Sequence, residues 1–87
     1  MIHDLKTWPE YYKLVESGEK RFEVRKNDRP YAVGDFLNLR EWQPTGTVDG
    51  VAITGYYTGQ SIYAKVTYIL HGGQFGLPEN ICIMSIE

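Results

Sequence analysis

Hydrophobic periodicity changes once along this chain, at Gly18, and that change limits the fold more than any other feature. Before it, Trp8, Tyr11, Tyr12 and Val15 fall at i, i+3, i+4 and i+7, one face of a helix, and Leu14 widens the stripe. Thr7 and Glu10 have the T-x-x-E spacing of a capping box. Pro9 suits a first helical turn, whose amides have no helical partner, and Gly18 can stop the helix in a left-handed conformation. After Gly18 the apolar residues alternate. In Lys20–Arg25, Phe22 and Val24 are expected to point inward and Glu23 and Arg25 to share the outer face, because residues two apart lie on one side of a strand.

The remaining pattern is short strands. Asn27-Asp28-Arg29-Pro30 and Gly34-Asp35 read as turns, the second leading into a strand over Phe36–Trp42 with Leu37 and Leu39 on one side. Gln43–Gly50 reads as a loop, Val51–Tyr57 and Gln60–Leu70 as two strands joined at Thr58-Gly59. In the longer one Ile62, Ala64, Val66, Tyr68 and Leu70 alternate. His71–Asn80 is a glycine-containing loop, and Ile81–Ile86 a last strand. An N-terminal helix followed by about five strands in 87 residues predicts a single α+β domain over residues 1–87, a half-open β-barrel plugged by its helix.

Charge and cysteine narrow the function classes. Nine Lys and Arg against eleven Asp and Glu give a net charge of −2, so the chain is no uniformly basic coat for nucleic acid. One cysteine, Cys82, allows no internal disulfide and no paired CxxC zinc site, as expected of a cytoplasmic protein. His3, His71 and Cys82 lack the close spacing of metal ligands, so neither metal nor cofactor is expected. No apolar run approaches the ~20 residues of a membrane span, and MIHDLKTWPE lacks the apolar stretch of a signal peptide. The charges are uneven, however: Lys20, Arg21, Arg25, Lys26 and Arg29 fall close together, interleaved with Glu19, Glu23 and Asp28, whereas from Trp42 onward only Asp49, Lys65, Glu79 and Glu87 are charged.

That cluster is the candidate site. Arginine presents a planar fork of donors that fits two phosphate oxygens, and lysine adds a mobile point charge, so Lys20, Arg25, Lys26 and Arg29 could follow a sugar–phosphate backbone. The alternative is that these charges are solvated or paired with their acidic neighbours. Glu23 could orient Arg25, accept a hydrogen bond from the exocyclic amine of cytosine, or act as a general base. Aromatics make up 14% of the chain. Trp8, Phe36 and Tyr68 read as core; Tyr31, Trp42, Tyr56, Tyr57 and Phe75 lie at turns or strand ends, as rim packing or cleft lining.

The stretch Gly18–Arg25 fits G-x-K-x-x-E-x-R and resembles the signature of the ASCH domain family, a branch of the PUA-like superfamily. The similarity continues through Glu23–Arg29, Val33-Gly34-Asp35, Leu39–Trp42, Tyr57-Thr58-Gly59, Val66–Leu70, Phe75-Gly76-Leu77 and Ile83–Ile86, and it resembles in particular an ASCH-like family of bacteria and their phages. The resemblance implies a PUA-like barrel whose cleft beside the helix binds RNA or a nucleotide, single-stranded or splayed, with His3 and Lys6 facing the same cleft. It also implies a rival activity, hydrolysis of the amide of N4-acetylcytidine or cleavage of RNA, with Lys20 and Glu23 as the catalytic candidates. For the amide hydrolysis the family uses a lysine, a threonine and a later glutamate; Lys20 matches the first, Glu23 stands where the threonine would be, and the insert carrying the last is missing. A third possibility is a protein-interaction module, whose mark would be an exposed apolar patch.

Overall fold

The computed structural model describes residues 1–87. Its elements are β1 (Ile2–Thr7), α1 (Pro9–Glu16), β2 (Phe22–Lys26), β3 (Phe36–Val48), β4 (Val51–His71) and β5 (Ile81–Ile86). The five strands form one mixed sheet in the order β1-β3-β4-β5-β2, with β1 parallel to β3 and every other pair antiparallel. The sheet is not closed into a barrel: β1 and β2 are its two edges.

The helix is preceded by a strand that the apolar pattern did not announce. The inward positions of β1 are His3, Leu5 and Thr7, only one of them aliphatic. Pairing in register with β3 brings His3 beside Leu37 and Leu5 beside Leu39. His3 is satisfied inside by Asp35, whose Oδ2 lies 2.8 Å from His3 Nε2, and its ring meets Tyr31 edge-on at 4.7 Å. Thr7 therefore ends a strand instead of capping a helix; Trp8 is the N-cap, with no side-chain cap bond, and Pro9 occupies the first turn as expected.

Leu5, Leu37, Leu39, Ala64, Val66, Ile69, Met84 and Ile86 make most of the core, with Tyr31 and Cys82. Alternation carries each strand's share inward until a bulge changes its phase. On β3 the ladder jumps between Arg40 and Trp42, which turns Trp42 inward and leaves it 7% exposed. On β4 a bulge between Val66 and Tyr68 gives Ile69 the inward position and leaves Tyr68 62% exposed. The expected core aromatics are corrected: Tyr68 is turned out by its bulge, Phe36 alternates with buried Leu37 and Trp8 stands exposed at the helix N-cap, whereas Tyr31 and Trp42 are buried.

The segment read as a loop over Gln43–Gly50 is mostly strand. β3 runs on to Val48, and Asp49 and Gly50, at φ 51° and 78°, supply the two left-handed residues that a tight hairpin turn needs. Thr58-Gly59 is likewise no turn. It belongs to a bulge in continuous β4, where Arg40 pairs with Ser61 but Trp42 pairs with Tyr57. No helix is long and apolar enough to cross a membrane, and no three His, Cys, Asp or Glu residues are grouped as metal ligands would be.

Candidate functional site

The end of α1 aims the charged cluster. Gly18, at φ 82°, turns the chain back so that its amide donates to the Val15 carbonyl (3.1 Å) and the Lys20 amide to the Leu14 carbonyl (3.0 Å). Lys20 thus leaves the helix beside the start of β2. That strand pairs with β5 alone, Glu23 opposite Met84 and Arg25 opposite Cys82. Met84 and Cys82 are fully buried, so the same register draws Glu23 and Arg25 inward and turns Phe22 and Val24 out. The faces of β2 are therefore the reverse of those its apolar residues suggested.

A cleft of about 850 Å³ opens between α1, β2 and the end of β1. Trp8, Tyr11 and Leu14 of the helical segment and Phe22 and Val24 of β2 form its apolar walls, all more than a third exposed. Its polar lining includes Lys6, Thr7, Glu19, Lys20, Glu23 and Arg25, a formal +1 in a chain of net −2. Glu23, 4% exposed, joins two of the cations. Lys20 Nζ donates to its Oε1 at 3.0 Å and to the Phe22 carbonyl at 2.6 Å; Arg25 Nε donates to its Oε2 at 3.3 Å.

Arg25 also reaches across the open side of the sheet. Its Nη1 donates to the Lys6 carbonyl at 3.1 Å and its Nη2 to Thr7 Oγ1 at 3.4 Å. Arg29 does the same one step along, Nη1 donating to the Asp4 carbonyl at 2.9 Å. Two guanidinium groups thus tie β2 and the turn after it to the free edge of β1. Lys6 swings over the Trp42 ring, its Nζ 4.1 Å from the centroid, a favourable cation–π placement.

Of the residues singled out from sequence, Lys6, Lys20, Glu23 and Arg25 meet in the cleft. Lys26 and Arg29 line a smaller hollow with Arg25. His3 lines neither; it is 5% exposed and bound to Asp35. The walls supplied by Trp8, Tyr11 and Leu14 were missed as site residues because a helical apolar stripe reads as core. In the structure Tyr12 takes the buried side and these three stay at the surface.

Titration behaviour follows burial and partners. The His3 hydrogen bond, followed by the N-terminal ammonium and the Ala32 amide, holds the Asp35 carboxyl below the usual range, against the opposing effect of burial. Burial pushes the Tyr31 hydroxyl up, partly offset by Arg29, and burial pushes the Cys82 thiol up as well. A buried thiol of that kind is inert, so Cys82 is a packing residue.

A phage protein described as "Uncharacterized 12.9 kDa protein in GpA 3′region", from Escherichia phage P2, is 39% identical to this chain over 66 residues, covering 76% of the chain and 51% of the relative. The chain spans about half the length of that curated relative. The family model described as "Domain of unknown function (DUF3850)" matches residues 2–86, and the chain belongs to that family.

Proposed function

We propose that the cleft binds single-stranded RNA or a nucleotide on a PUA-like scaffold of ASCH type. One observation carries the reading: Lys20, Glu23 and Arg25 of the G-x-K-x-x-E-x-R stretch share a single recess with exposed aromatic walls. Lys20 and Lys6 supply charge for phosphate, and Trp8, Tyr11 and Phe22 supply faces for a base. Stacking on such a face contributes about 1–3 kcal/mol per base. Glu23 organises the cations. A carboxylate also has about four lone-pair sites, so it retains capacity to accept from an exocyclic amine at the cleft floor.

The test is thermal shift and calorimetric titration with nucleotides and short RNAs at about 50 and 200 mM salt, where phosphate binding weakens steeply as counterions compete. The expected result is a raised Tm with nucleotide, lost at the higher salt and in Lys20→Ala. Affinity indifferent to salt and to that substitution would overturn the reading.

The hydrolase reading has less to stand on. The aliphatic hydroxyl in the cleft, Thr7 Oγ1, already accepts from Arg25, and Lys20 is held between a carboxylate and a carbonyl. The protein-interaction reading draws on a different place, the outer part of the β3–β4 hairpin, where Val48, Val51, Ile53 and Tyr56 are each more than half exposed. Self-association through this arm would show as concentration-dependent sedimentation abolished by Ile53→Lys; sedimentation unaltered by that change would remove it.

A further inference from the structure

A second hollow, of about 180 Å³, adjoins the cleft, and Arg25 lines both. We infer that this hollow is a second phosphate subsite, so that the ligand of the cleft is an oligoribonucleotide and not a mononucleotide. The inference rests on the nucleotide reading above and specifies its ligand class.

The hollow has the size and the donors for a phosphate. Its volume of about 180 Å³, against about 850 Å³ for the cleft, leaves room for a phosphate group. Arg25, Lys26 and Arg29 line it against one carboxylate, Asp28. A guanidinium carries five N–H donors, and Arg29 commits one of them, to the Asp4 carbonyl. That single bond fixes the group without exhausting it. Lys26 is exposed and takes part in no ion pair.

Spacing points the same way. Arg25 and Arg29 are moored to the carbonyls of Lys6 and Asp4, two residues apart on the free edge of one strand. At about 3.3 Å per residue, those mooring points repeat at about 7 Å. This is close to the repeat of phosphates along an extended, unstacked RNA strand. The edge of β1 thus acts as a ruler that sets two guanidinium groups in register with two successive phosphates, one at the mouth of the cleft and one in the hollow.

The experiment is calorimetric titration with cytidine 5′-monophosphate and with 5′-phosphorylated oligocytidylates of two, three and four residues, whose exocyclic amines suit Glu23, in the full chain and in Lys26→Ala and Arg29→Gln. The expected result is an affinity about tenfold or more higher for the trimer than for the monophosphate, with a steeper salt dependence. In each variant the trimer-to-monomer ratio falls toward one, and the salt slope drops by about one. Lys26→Ala removes no hydrogen bond within the fold, so it keeps the test independent of any loss of folding in Arg29→Gln. Equal affinity for monomer and trimer, or a ratio retained in both variants, would overturn the inference while leaving the cleft a nucleotide site. Hexaglutamate binding as tightly as the trimer would also overturn it, as the mark of a general anion patch. Binding of no cytidylate of any length would instead overturn the nucleotide reading itself.

Discussion

Asp35 accepts from three donors at once: the His3 ring, the Ala32 amide (3.0 Å) and the N-terminal ammonium (3.2 Å). Its carboxyl titrates below the usual value in the folded chain, chiefly because of His3. A carboxyl depressed in this way favours the native state above its unfolded value of about 3.9, and the contribution disappears as pH falls through the folded value. Urea midpoints are therefore expected to hold steady in this respect from about pH 5 upward and to fall below about pH 4. Asp35→Asn should lower the midpoint at neutral pH and flatten the acid limb; an unchanged acid limb would assign it to other carboxylates. Little of this was legible beforehand. A turn at Gly34-Asp35 was readable from composition, but its partner His3 lies 32 positions away and nothing local joins them. Glu23 shows the opposite balance. Its importance was readable because a carboxylate amid cations demands a reason, while its direction was not, since Phe22 and Val24 beside it are the residues that apolar alternation sends inward.

At the scale of elements, the misreadings on β3 and β4 share one cause: strands whose phase is reset by bulges. Alternation predicts Tyr68 inward and Trp42 outward, and each bulge reverses the outcome from that point on. The outer β3–β4 hairpin was obscured further because Pro44, Thr45 and Gly46 read as loop residues, and the ladder does shift register around Gly46. Two glycines there and nearby have distinct duties. Gly50 supplies a left-handed φ, whereas Gly55 supplies space: a Cβ on it would lie 2.3 Å from Trp42 Cζ2 and 2.5 Å from the Gln43 carbonyl oxygen. Gly55→Ala must therefore displace either the indole or the strand. Overpacking of this kind costs about 1–3 kcal/mol. The expected observation is a lowered denaturation midpoint together with a changed Trp42 emission, read in a Trp8→Phe background. A midpoint and emission identical to that background would show that the indole is free to move aside. Since Lys6 rests on the same ring, the substitution connects the packing of the arm to one wall of the cleft.

The whole molecule is a sheet whose edge strands, β1 and β2, approach each other without pairing, and arginine side chains span the gap. Strand order and this seam had no local signature, because an arginine that will donate to carbonyls 19 and 25 positions earlier looks like any other basic residue of a turn. The seam gives Arg25 two duties, closing the fold and lining the cleft, and the two can be separated. Lysine keeps the charge but presents a single nitrogen, which cannot serve Glu23, the Lys6 carbonyl and Thr7 together. Arg25 is partly exposed, so the loss in Arg25→Lys should be modest, about 1–2 kcal/mol by chemical denaturation. Its location is the sharper prediction. Amides of the β1–β3 ladder should exchange faster, because β1 pairs only with β3 and its free edge is tied down by these guanidinium groups, whereas the β3–β4 ladder around Leu37 and Ala64 keeps its protection. A uniform loss of protection across the sheet would mean that Arg25 supports global stability only. Selective loosening of β1 would mean that whatever binds the guanidinium groups also acts on the seam, since an incoming phosphate would meet donors already fixed by the strand edge they hold.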